Sequence, residues 1–131
     1  MTRTRRILIV GNDDGRRAAH RALDRVGFDV VAAANHAEAH RSLLGSRFDL
    51  VVTEVGEPAS DGVEFIKRIR ATPQLADMLI LVIAEWGAGK ATLALSQGAD
   101  GYEPKPVDAN RLITSIERLL RKEAAAASQG Q

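Results

Sequence analysis

Short unbroken apolar runs alternate with longer stretches whose apolar positions recur every three or four residues, and this alternation organises the chain. Ile7-Leu8-Ile9-Val10 shows no polar face, the pattern of a strand buried on both sides in a parallel sheet. Asp13-Asp14-Gly15 then open a helix, with carboxylates where the helix dipole favours them. Ala19, Ala22, Leu23 and Val26 form its inward stripe up to a C-capping Gly27. Phe28 to Ala33 reads as a second strand. Asn35 caps a helix that carries Ala39, Leu43 and Leu44 inward and ends near Gly45, and Leu50 to Glu54 is the third strand.

The second half repeats the unit. Asp61 caps a helix with Phe65, Ile66 and Ile69 on its buried face, and Thr72-Pro73 stops it. Leu79 to Ala84, the longest aliphatic run, is a central strand. Ala91 to Gln97 is a short helix closed by Gly98. Gly101-Tyr102-Glu103 is a brief fifth strand, placed at a sheet edge by Pro104, which lacks a ladder donor. Asp108 to Lys122 sets Leu112, Ile116, Leu119 and Leu120 on one face, as in a helix laid on a sheet. Residues 1–123 therefore form one domain, and Ala124 to Gln131, without an apolar stripe, reads as a disordered tail or the start of a linker.

Five strands alternating with five helices over short connections predict an α/β fold. Right-handed crossovers place helices on both faces of a parallel sheet, a doubly wound three-layer sandwich. In the flavodoxin-like version the strand order is 2-1-3-4-5, and ligands bind beyond the carboxyl ends of the strands, where the order reverses between the first strand and the third. Glu54 and the loop from Gly11 to Asp14 meet at that point.

Composition narrows the chemistry. The 131 residues suit one hydrophobic core, and 18 basic against 17 acidic side chains leave a net charge of +1, which supports no direct nucleic-acid binding. The chain has no cysteine, so disulfides, thiolate metal sites and thiol nucleophiles are excluded, in keeping with a cytoplasmic protein. The apolar run after the basic start is too short for a membrane span. Glu85-Trp86-Gly87-Ala88-Gly89-Lys90-Ala91 fails as a phosphate loop, since the required first glycine falls on Ala84 and the hydroxyl position on Ala91. His20, His36 and His40 lack metal-ligand spacing and read as surface histidines. Trp86 is either an exposed anchor for a partner or a lid over Ile83 and Glu54.

Ile7-Leu8-Ile9-Val10, Phe48-Asp49-Leu50-Val51-Val52, Pro58-Ala59-Ser60-Asp61-Gly62, Gly98-Ala99-Asp100-Gly101-Tyr102 and Lys105-Pro106 stand in one order along nearly the whole chain. In that order and spacing the chain resembles the receiver domain of two-component response regulators, the CheY-like family. The resemblance implies phosphorylation of one aspartate by a histidine kinase and Mg2+ held by that aspartate with an acidic pair after the first strand. It also implies a hydroxyl and a lysine that bind the phosphoryl group, an aromatic switch residue, and a cis bond between the lysine and the following proline. Carried over by position, the phosphoacceptor is Glu54, the acidic pair falls on Gly11 and Asn12, and the hydroxyl position is Ile83, whereas Lys105 and Tyr102 are retained. A loop one residue short can bring Asp13 and Asp14 toward the metal position, although both also suit helix capping.

These departures act together. Mg2+ favours six oxygen ligands, and Gly11 and Asn12 supply no carboxylate. The extra methylene of Glu54 moves its carboxylate by about 1.5 Å, and positional errors near 1 Å cost about a hundredfold in rate. The expectation is a degenerate receiver, or pseudo-receiver, that acts without catalysis by binding a protein partner. That partner is a histidine kinase, an effector or the chain's own output domain. The face built from the fourth helix, fifth strand and fifth helix, as in related receivers, also allows a homodimer. No metal is expected, and Glu54 is either a structural partner of Lys105 or a fixed imitation of the phosphorylated state. The alternative is a Mg2+-dependent phosphoacceptor in which Asp13, Asp14 and Glu54 still assemble a site. A flavodoxin-type small-molecule domain ranks third, since no loop clusters phosphate-cradling glycines and hydroxyls.

Overall fold

A computed structural model describes residues 4–11, 14–56, 59–85, 87 and 89–129. The strands are β1 (Arg6–Val10), β2 (Asp29–Ala33), β3 (Leu50–Val55), β4 (Leu79–Ala84) and β5 (Gly101–Pro104). The helices are α1 (Asp14–Arg25), α2 (His36–Gly45), α3 (Ala59–Ala71), α4 (Lys90–Ser96) and α5 (Ala109–Gln129). A 3-10 turn at Pro73–Leu75 follows α3. The five strands form one parallel sheet in the order β2-β1-β3-β4-β5, the flavodoxin-like arrangement.

The apolar runs of the central strands conceal an alternation, because successive side chains point to opposite faces. Leu8, Val10, Val51, Ile80 and Val82 pack on one side with Leu43 of α2 and Phe65, Ile66 and Ile69 of α3. Ile7, Ile9, Leu50, Val52, Leu81 and Ile83 pack on the other with Leu23 of α1 and Leu112, Ile116 and Leu119 of α5. Each side chain buried this fully contributes about 1.5–3 kcal/mol, and two such layers hold the middle strands in place.

β5 lies at the sheet edge, and its hydrogen bonds show why Pro104 is tolerated there. Consecutive backbone N–H groups of a strand point to opposite sides. Lys105 N donates inward to Ala84 O at 3.0 Å, so the missing donor of Pro104 faces away from β4. Asn35 caps α2 as expected, its Oδ1 accepting from Glu38 N at 2.8 Å. Gly27 has φ +102°, the left-handed conformation of a helix stop.

Several sequence expectations are corrected. Val26 and Leu44 are about half exposed, not inward: each falls at the last turn of its helix, or just past it, where the chain leaves the sheet. α3 begins at Ala59, so Asp61 lies in its first turn rather than at its cap. The last helix does not fray at Lys122. It continues through Gln129, and residues 124–129 are helical where a disordered tail is expected, because alanine has the highest intrinsic helix propensity and extends an existing helix without needing a buried face.

Candidate functional site

Glu54, the penultimate residue of β3, stands between two cavities at the carboxyl ends of the strands. On the α1/α5 side lies a cavity of about 380 Å³, floored by Ile9, Val52 and Ile83 and walled by Pro106 and Val107. On the α2/α3 side lies one of about 250 Å³, lined by Gly11, Asn35, His36, Asp61 and Gly62. The topology produces this placement: β1 and β3 are neighbours whose crossovers leave to opposite faces, which opens a crevice between their ends.

The Glu54 carboxylate is engaged. Its Oε2 accepts a charge-assisted hydrogen bond from Lys105 Nζ, and both side chains are 31% exposed. Lys105 reaches it from the end of β5, and the Lys105-Pro106 bond is cis, as the resemblance implies. Glu54 is held from the other side by the docking of α3. A Cβ built on Gly62 would lie 3.0 Å from Glu54 O and 3.0 Å from Val55 Cγ2, so the first turn of α3 approaches the end of β3 as closely as glycine allows.

The loop after β1 departs from the family pattern in side chain, and its backbone is fixed by Gly11. Gly11 has φ +136°, a conformation that side chains disfavour, so a carboxylate residue at this position would be strained. Its N–H donates to Ala33 O at 2.9 Å, and its carbonyl accepts from Arg16 Nε at 3.0 Å. Asp14 is exposed and pairs with Arg17 on the next turn rather than with Glu54. Asn12, Asp13 and Trp86, all named from the sequence, lie outside the described residues.

Ile83 is the register partner of Glu54 and is buried. It does more than fill strand-end volume, because it forms part of the floor of the larger cavity. Tyr102, opposite Val82, is half-buried against the α2/α3 core. The expectation of surface histidines is corrected at His36. Its ring stacks on Phe65 with centroids 4.6 Å apart, and its Nε2 lies 3.4 Å from Thr53 Oγ1. Burial lowers its pKa, and the negative charge of Asp61 partly opposes that shift. His40 is also half-buried, with Nε2 3.3 Å from Thr72 Oγ1, and His20 is half-buried on α1.

Sequence reasoning passed over Arg16, Asp61 and His36 as site residues. A signal for Arg16 exists: a cation in the first turn of a helix opposes the dipole, which suggests that tertiary contacts hold it there. His36 gives no such signal, since its stacking partner lies 29 positions away on another helix. Among the described residues no three His, Cys, Asp or Glu side chains converge as a metal group. Of the described carboxylates that line the larger cavity, Glu54 is already paired with Lys105 and Asp14 with Arg17. That donor set fits octahedral Mg2+ poorly.

A doubly wound domain that sets a strand-end carboxylate against a lysine at its topological switch point has the architecture of a signalling receiver. Known proteins agree. The model of the response regulator receiver domain matches residues 7–117, and the chain belongs to that family of two-component signalling domains. It is 33% identical over 125 residues to protein PetR of Rhodobacter capsulatus, covering 95% of this chain and 52% of that protein. It is 36% identical over 117 residues to the transcriptional regulatory protein AfsQ1 of Streptomyces coelicolor, covering 88% and 51%. The chain thus spans about half the length of these curated relatives. Among solved structures, the chemotaxis response regulator CheY4 of Vibrio cholerae is similar at 27% identity and a TM-score of 0.79, over 88% of this chain and 98% of that one. A signal receiver domain from Bermanella marisrubri is similar at 28% identity and a TM-score of 0.80, over 90% and 99%. Among the described residues no helix is long and apolar enough to cross a membrane.

Proposed function

We propose that this receiver is a pseudo-receiver, a cytoplasmic module that signals by protein–protein contact without being phosphorylated, without Mg2+ and without catalysing a reaction. One observation carries the reading: the carboxylate at the phosphoacceptor position is Glu54, already bound to Lys105 and flanked by Ile83, which offers no oxygen. A phosphoryl group entering there would have to displace the lysine from its partner. It would also lack the hydroxyl through which the family couples phosphate to its aromatic switch residue.

The partner is a histidine kinase, a downstream effector or an output domain, docked on the face of α4, β5 and α5. Exposed Leu93 and Leu95 on α4 support that surface, and a homodimer through the same face is compatible with it. Glu54 then serves as a structural partner for Lys105. As a phosphate mimic it would be weak, since a carboxylate carries one charge where a phosphoryl group carries close to two.

The decisive experiment is incubation with acetyl phosphate and Mg2+ followed by intact-mass measurement. The mass stays unchanged for the natural chain and for Glu54→Asp alone, because Gly11 and Ile83 still lack oxygens in that variant. A Mg2+-dependent gain of one phosphoryl group on the natural chain would overturn the proposal and establish the alternative, a working phosphoacceptor.

A further inference from the structure

The larger cavity is more than the remnant of a phosphorylation pocket. Its floor of Ile9, Val52 and Ile83 is aliphatic, and Val107 adds another apolar wall. At about 380 Å³ it falls in the range of small-molecule sites, roughly 300–1,000 Å³. It also opens at the switch point of the sheet, where this architecture presents ligands.

Among the described residues, the charged side chains that line it are Asp14, Arg16, Glu54 and Lys105, two acidic and two basic, so their formal charges cancel. Each is already engaged. Lys105 is bound to Glu54, Arg16 donates to Gly11 O, and Asp14 pairs with Arg17. An anionic guest would have to draw Lys105 away from Glu54 and leave that carboxylate unpaired beside it. A cationic guest would face the reverse loss. Breaking a partly buried pair in this way is costly, because the abandoned charge loses its compensation.

From the volume, the aliphatic floor and the self-compensated rim, we infer that this cavity binds a compact, uncharged, chiefly apolar organic molecule. Its apolar body rests on Ile9, Ile83 and Val107. One hydroxyl group donates at the mouth to the Glu54 carboxylate, whose acceptor capacity exceeds a single ammonium partner. The substitution of Ile83 for a hydroxyl residue is then a gain of apolar surface as well as the loss of a phosphate ligand. Nothing in this inference depends on how the domain meets its protein partner.

Three probes of similar size and different charge test it on the full chain with isoleucine and valine methyls isotopically labelled: indole-3-ethanol, indole-3-acetate and tryptamine. The neutral probe shifts the methyl resonances of Ile9, Ile83 and Val107 saturably, with Kd of about a millimolar or tighter. The anionic and cationic probes bind at least about tenfold more weakly, since each must be stripped of water without a free counter-charge. Ile83→Phe fills the cavity and weakens the neutral probe at least about tenfold. Should that variant fail to fold, Val107→Phe fills it from the wall. The inference is overturned by a charged probe that binds as tightly as the neutral one, by the absence of saturable shifts at these methyls, or by undiminished binding in a folded filling variant.

Discussion

At the end of the sheet where the strands begin, side chains and backbone are stitched together across elements. Where the strands finish, one ion pair stands between two cavities. At the first end Asp49 accepts from Arg6 N at 2.8 Å and pairs with Arg5 at 3.4 Å. Arg6 lies over the Phe48 ring at 4.7 Å and its Nε sits 3.0 Å from Asp29, an ion-pair contact without hydrogen-bond geometry. Arg70 donates to Gly98 O, Ala76 O, Met78 O and Asp100, tying the end of α3 to the entries of β4 and β5. Gly98 makes room for it: φ is +121°, and a Cβ there would come within 2.9 Å of the Arg70 side chain. Among the described residues, the second end has Glu54 with Lys105, Arg16 on the Gly11 carbonyl and the His36 stack on Phe65. The difference divides cross-element stitching from open volume between the two rims of one sheet. Interactions at the first rim hold the elements in register, so the second can leave volume unfilled.

Three measurements test that division. Arg70→Ala should cost most, about 2–4 kcal/mol in urea unfolding, because it takes a donor from the carbonyls of Ala76, Met78 and Gly98 and leaves Asp100 with Ile80 N alone. A loss well under 1 kcal/mol would mean that this rim is decorated rather than stitched. Glu54→Gln at the opposite rim should change stability by less than about 1 kcal/mol, since a partly exposed pair contributes little, and should leave partner binding within about a few fold. Loss of most binding would instead make Glu54 the signal itself.

The smallest effect is a dependence on pH. The folded pKa of His36 is lowered by burial from the ordinary 6.5. Between the two values the unfolded chain therefore holds more protons than the folded one, and stability rises with pH. Acidification from about pH 6.5 should thus lower the melting temperature of the natural chain more than that of His36→Phe, which keeps the stack on Phe65. Equal slopes would remove His36 as the source. Asp61, which lines the same cavity and favours the charged ring, limits the size of the difference.

Much of the fold was legible because burial on both faces leaves continuous apolar runs such as Leu79–Ala84, and helices on a sheet leave stripes such as Leu112, Ile116 and Leu119. What failed lay at element ends. Val26 and Leu44 continue their stripes in sequence but have run past the sheet they would cover. Residues 124–129 lack a stripe yet remain helical through alanine's propensity. At the site, chemical type was readable at Glu54, Ile83 and Lys105, and the Glu54–Lys105 pairing stood among the expectations. The cavities were not readable, since empty volume is set by how closely α1, α3 and the β5–α5 connection approach one another. Gly62 shows the limit: its glycine reads as a turn residue, whereas its role is close approach to the backbone of Glu54.

The edge at β5 has a consequence for the protein in concentrated solution. A sheet margin is ordinarily a template on which another chain can continue the hydrogen-bond ladder. Here the margin is four residues long and ends in Pro104, whose outward side has no donor to give. Growth by strand addition therefore stalls after a few bonds at that border, which leaves β2 as the margin of the sheet on which a ladder could continue.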